Sequence, residues 1–181
     1  MSTTAEPEPT TAAAAQPPLS LARVDFADLY ARHLCRHSQF GINVTHLAAL
    51  FGVWFGVYGF LYALLPEWWL PAGLAAAYLL AVAPNLPLRV TLALAVFLAG
   101  VVAAVVYTPT LPLWAVWAYL LLVPVFYKLQ AWSHKVFTTT SDMTEFDRKY
   151  PKGRALFWVL LFYEVPFLLN YLVFDRRRWA A

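Results

Sequence analysis

The sequence predicts an all-α fold: a polytopic membrane helical bundle of four to five spans, preceded by an N-terminal interfacial amphipathic helix. Three observations carry this. Between Phe40 and Tyr127 the only charged residues are Glu67 and Arg89. The chain is 61% hydrophobic with a mean hydropathy of +0.59. Its apolar runs are long enough for helices, since a hydrocarbon core about 30 Å thick needs roughly 20 apolar residues per helix. These runs are apolar all round and lack the ten-residue alternation of a membrane β-barrel.

Residues 1–19, rich in Pro, Thr and Ala, read as a disordered tail and not as a signal peptide, because they have neither a basic start nor an apolar core. Residues 20–181 are expected to form a single membrane-embedded helical domain. Ser20 is placed to cap a helix running to about Ser38, whose Phe26, Leu29, Tyr30, His33 and His37 share one face. Asp25, Asp28, Arg32 and Arg36 take the other side, so this helix should lie on the membrane surface with its apolar side down.

Five apolar segments follow, at about Ile42–Leu65, Trp68–Pro84, Leu88–Tyr107, Leu111–Leu129 and Leu156–Phe174. The stretches PEWWLP, APNLPLR and YTPTLP mark turns between them. Short connections make neighbouring helices antiparallel. The first span carries a stripe of small residues, Gly41, Thr45, Ala48, Gly52, Gly56 and Gly59, which lets a second backbone approach closely. It is either a packing face within the chain or the contact of a homodimer. The last segment holds Glu164 and Pro166 and leads to Arg176–Arg178. A full crossing would leave these arginines on the side opposite the other basic clusters, against the positive-inside rule, whereas a kinked or re-entrant path would not.

The chain has four histidines, and three of them, His33, His37 and His46, lie just before or at the start of the first span. The fourth, His134, follows the fourth segment. An even number of crossings returns the chain to its starting side, so His134 is expected beside the others at the cytoplasmic face. His33 and His37 are spaced four apart, as are Gln130 and His134, which puts each pair on one helix face. Neutral imidazole suits iron, zinc, copper or nickel. Asn43, Gln130, Asp142, Glu145 and Glu164 are candidate acceptors for the imidazoles' second nitrogens. A carboxylate inside a span normally faces the bundle interior, so Glu164 is either a structural partner of Asn170 or a tyrosine, or a ligand, proton carrier or substrate contact. The charged loop at residues 138–154 is a solvated connection or a lid over the histidines with Asp142 or Glu145 turned inward.

Eight residues separate His37 from His46, with Asn43 between them, and the stretch QAWSHKVF places Gln130, His134 and Phe137 in a Gln-x-x-x-His-x-x-Phe pattern. In these features the chain resembles the membrane 2-hydroxy fatty acid dioxygenases of fungal phytosphingosine breakdown and their bacterial relatives. It departs from their pattern around Asn43, which only Val44 and Thr45 separate from His46, and at Thr138, where the family has an acidic residue. The resemblance implies a small multi-pass membrane enzyme that uses Fe(II) and O₂ to shorten a 2-hydroxy fatty acid by one carbon. It makes His37, His46 and His134 the metal ligands, with Gln130 in support; His33 would be an optional fourth. Substrate would enter sideways from the bilayer between the first, fourth and fifth spans. The expected partners are a membrane lipid or fatty acyl substrate and O₂, with no nucleic acid, in a bacterial inner membrane or the endoplasmic reticulum. The alternatives are a non-catalytic integral membrane protein, acting as scaffold, lipid-binding module or small-solute carrier, and a single-haem membrane protein.

Overall fold

The computed structural model describes residues 20–137, 142–150 and 152–180, and among them it is a helical bundle without strands. The expected tail at residues 1–19 and the departure at Thr138 lie outside the described residues. Helix α1 spans Phe26–Leu34, α2 Phe40–Leu64, α3 Trp69–Val82, α4 Leu88–Tyr107, α5 Trp117–Val136, α6 Thr144–Lys149 and α7 Arg154–Leu169. A 3₁₀ turn at Ala83–Asn85 extends α3, and a π-helical turn at Asn170–Phe174 extends α7.

Four helices are long and apolar enough to cross a membrane: Phe40–Leu64, Leu88–Tyr107, Leu113–Val136 and Arg154–Phe174. This is the composition of a membrane protein. The stretch Trp69–Asn85 is shorter, yet its rise of about 1.5 Å per residue still gives about 25 Å, near the lower limit for a span.

Helix α1 is shorter than expected. Asp25, not Ser20, caps it by accepting the Asp28 amide at 3.1 Å, while Ser20 Oγ accepts from Ala22 N in a turn ahead of the helix. Its end also comes early, at Leu34, with His37 N still donating to His33 O at 3.0 Å, so the chain bends into α2 just beyond that last helical bond.

The small-residue stripe of α2 is used within the chain. A Cβ built on Gly41 would collide with the Phe137 ring and one on Gly52 with the Phe126 ring. At Gly56 it would meet the Tyr119 carbonyl at 2.6 Å, and at Gly59 the Tyr119 ring at 2.7 Å. Positions rising along α2 meet positions falling along α5, so the two helices run antiparallel. The bare glycine surface lets the backbones come this close, and it carries the end of α5 to the start of α2.

Helix α4 buries Val90, Leu94, Leu98, Val101 and Val105, a spacing of three and four residues that gives one stripe, and turns Leu88, Leu92 and Val96 outward. Exposed Trp68, Trp69, Tyr107, Trp114 and Trp117 cluster at the end of the bundle away from the histidines, as expected of an aromatic belt at a membrane surface.

The last helix follows a path the sequence left open. Before α7, Tyr150 OH donates to Asp28 of α1; midway, Tyr163 OH donates to Leu21 O at 3.0 Å and accepts from Asn85 Nδ2 at 2.8 Å. After it, Tyr171 OH donates to Ser38 O at 2.6 Å and Tyr30 OH to Asp175 Oδ2 at 2.9 Å. Both ends therefore meet α1 or the α1–α2 corner, and α7 lies across the histidine end of the bundle instead of traversing it. Burial agrees: 56% of its apolar window is buried, against 11% for the α5 span, which is the lipid-facing profile. Pro166 cannot donate to Phe162 O four residues earlier, and Tyr78 OH fills that gap.

Candidate metal centre

Each element delivers one imidazole. His37 comes from the α1–α2 corner, His46 from the second turn of α2 and His134 from the last turn of α5. Their rings meet edge to face, with centroids 4.7 Å apart for His37 and His46, 4.9 Å for His37 and His134, and 4.8 Å for His46 and His134. Candidate ligand nitrogens of all three lie within 4.8 Å of one another. Nitrogens bound to one ion at about 2.0–2.1 Å stand roughly 3–4 Å apart, so side-chain rotations on the order of an ångström close the site.

The second nitrogens fix the tautomers. His37 Nδ1 donates to His33 O at 3.3 Å, since a carbonyl can only accept. His46 Nδ1 donates to Glu164 Oε1 at 2.9 Å, and Gln130 Nε2 donates to the same carboxylate oxygen. Gln130 Nε2 also lies 3.2 Å from His46 Nδ1, but two N–H groups cannot bond each other, so the carboxylate is the acceptor for both. In each ring Nε2 is then left with its lone pair. Both the His37 and the His46 Nε2 atoms are buried without a hydrogen-bond partner. An orphaned imidazole lone pair in an apolar bundle costs free energy unless something occupies it. A cation shared by three imidazoles suits that donor set, and the carboxylate behind His46 is the arrangement that orients a metal-bound histidine and raises its basicity.

The other expected participants separate into two groups. Glu164 and Gln130 are in place beside His46. His33 is not part of the convergent group: it stacks on His37 at 4.1 Å with rings 2° from parallel, and its Nε2 is engaged by Asn43 Oδ1 at 3.3 Å. Asn43 holds backbone as well, donating to His37 O at 2.6 Å and Gln39 O at 2.8 Å. It thereby fastens the corner that carries His37. Asp142 turns away from the histidines and accepts from the Thr144 amide and hydroxyl at 2.9 and 2.6 Å, and Glu145 is exposed. Neither points inward as a lid residue would.

Burial sets the charge state of the α1 histidines. It pushes His33 down to about 3, against the Asn43 hydrogen bond that favours its charged form. Burial, then the neighbouring imidazoles, drives His37 lower still. Both are neutral near pH 7, the form in which imidazole ligates a metal. No family model, curated protein or solved structure matches the chain. The resemblance drawn above therefore stands on its motif residues.

Sequence reasoning missed two contributors. Phe167 packs its ring against His33 at 5.4 Å, and Tyr171 ties α7 to the α1–α2 corner. Both are aromatic residues in an apolar run, where nothing in composition marks one as closer to a site than another. Phe137, singled out by its motif position, fills the space over Gly41.

Proposed function

We propose that the chain is an iron-dependent membrane oxygenase acting on a fatty acyl or lipid substrate, specifically one that uses O₂ to shorten a 2-hydroxy fatty acid by one carbon. One observation carries the reading: imidazoles from the α1–α2 corner, α2 and α5 converge, the Nε2 atoms of His37 and His46 are buried without a hydrogen-bond partner, and the half-buried Glu164 carboxylate stands behind His46. His37, His46 and His134 would hold Fe(II), which supplies a redox centre with coordination positions open to substrate and O₂. The chain's own residues do the rest. Glu164 keeps the proton on His46 Nδ1, and the His33 carbonyl keeps the proton on His37 Nδ1. Imidazole centroids less than 5 Å apart, in mutual edge-to-face contact, leave no slot for a macrocycle, so a haem held between two of them is not favoured.

Elemental analysis of the detergent-purified full chain, after reconstitution with Fe(II) under anaerobic conditions, tests the reading. The expected result is about one iron per chain, retained through desalting, and its loss in His134→Ala. A chain that retains no transition metal, or whose metal content is indifferent to His134→Ala, overturns it.

A further inference from the structure

Beside the triad lies a cleft of about 180 Å³ between α1 and α7. His37 and Glu164 form part of its wall, Arg32 and Arg36 stand on one side, and Phe157, Leu160, Leu161 and Phe167 make the apolar remainder. Arg32 is the unusual member. Its side chain is only 7% exposed, and its Nε is buried with no hydrogen-bond partner. Its one ion pair among the described residues, to Asp147 of α6, is long at 3.9 Å, and the Asp147 Oδ1 it approaches also lacks a hydrogen bond. A buried guanidinium with an unsatisfied N–H calls for an anionic acceptor. The opposite wall calls for hydrocarbon, and it runs outward to Phe157, 59% exposed, and Leu161, 42% exposed.

The geometry points to this cleft as the seat of a single-chain amphiphile with an anionic head, anchored by Arg32 and with its chain leaving along the α7 face of Leu160, Leu161 and Phe157. The volume holds a head group and a few carbons, so the rest of the chain lies outside in the bilayer. Glu164 shares the wall and disfavours an anion on its own side, which leaves the Arg32 side for the head and places the adjoining carbons next to His37. The route differs from passage between the first, fourth and fifth spans, because α1 and α7 form the walls. Its meaning for catalysis rests on the oxygenase reading, but the binding itself does not.

Equilibrium binding to the purified full chain in a maltoside detergent, without added metal, tests it with three probes of equal chain length: dodecanoate, dodecyl phosphate and dodecanol. The expected result is saturable binding of an anionic probe and much weaker binding of dodecanol, with the tighter of the two anions identifying a carboxylate or a phosphate head. Arg32→Met should weaken the anionic probe by about tenfold or more, the scale of a lost charged hydrogen bond, while leaving dodecanol unchanged. Because Arg32 also faces α6, Leu161→Trp serves as the second variant: it fills the cleft from an exposed position and should weaken binding with both arginines intact. Dodecanol binding as tightly as the anions, or anion binding insensitive to both variants, overturns the assignment. Iron content, read on the same preparations, separates this outcome from failure of the metal site.

Discussion

Glu164 shows how much one side chain decides here. Its carboxylate accepts hydrogen bonds from His46 Nδ1 and from the Gln130 amide, and so fixes which nitrogen of His46 keeps its lone pair. Replacing it with glutamine keeps an acceptor of the same length but removes the charge that raises the imidazole's basicity. Glu164→Gln should therefore lower metal affinity by about 10–100-fold, the usual effect of losing such a partner, with little change in folding. Competition of the purified protein against a chelator of known affinity measures this; an unchanged affinity would show that the carboxylate serves the fold alone. Three of the four histidines and Glu164 were legible as a candidate cluster because charged and imidazole groups stand out in a chain so apolar. His33 was set apart only as an optional fourth, with nothing in the spacing to decide its part. Its helical spacing to His37 is the same whether the two rings share an ion or stack, and only the position of Asn43 distinguishes these arrangements.

Among the elements, the α2–α5 pair controls the site from a distance. The glycines that let α5 approach lie one to two turns and more from His46, yet they set where the end of α5 brings His134. Gly56→Val is expected to push α5 away, because the atom it meets is the Tyr119 carbonyl, part of a helix backbone that cannot swing aside. The cost is about 1–3 kcal/mol, as for other overpacked positions. A lower thermal midpoint in detergent and reduced iron retention should appear together, whereas Gly73→Ala, with nothing within 4 Å of the added carbon, should leave both unchanged. The helices themselves were readable from their charge-free runs, but their ends were not. The fourth apolar segment was expected to stop at Leu129, and the helix runs on through polar Gln130, His134 and Lys135 to Val136, as the Gln130–His134 spacing had suggested. Beyond Leu34 the reverse happened: an amphipathic pattern extended further than the hydrogen-bonded turns.

At the scale of the whole molecule, the path of α7 settles the distribution of charge. With both of its ends at the histidine end, Arg176–Arg178 join Arg32, Arg36 and Lys135 on one side. The far-end connections, Leu65–Trp68 and Thr108–Val116, contain no lysine or arginine. By the positive-inside rule this distribution would place the histidine end at the cytoplasmic face, an orientation that site-directed labelling tests. No pattern in the residues of α7 could have decided this, because its length and hydropathy are those of a crossing helix; the choice is made by tyrosine hydroxyls that reach partners more than a hundred residues away. Cys35, the chain's one cysteine, gives a direct check. In oriented vesicles, a membrane-impermeant maleimide should reach a cysteine at Arg177 from the same side as Cys35, and a cysteine at Glu67, in a Cys35→Ser background, only from the other. Labelling of Arg177→Cys from the Glu67 side would mean that α7 crosses.

That same transverse helix gives the protein unequal halves. The far end of the bundle is built of α2 to α5 alone, while the histidine end carries α1, α6 and α7 as well. Lipids packed around such a shape are spread apart on its broad side, and a bilayer relieves the mismatch by bending toward the narrow one. Where that broader end lies within the bilayer, such a shape would favour membrane curved toward the narrow end, and comparing the chain's partition between small and large vesicles measures it.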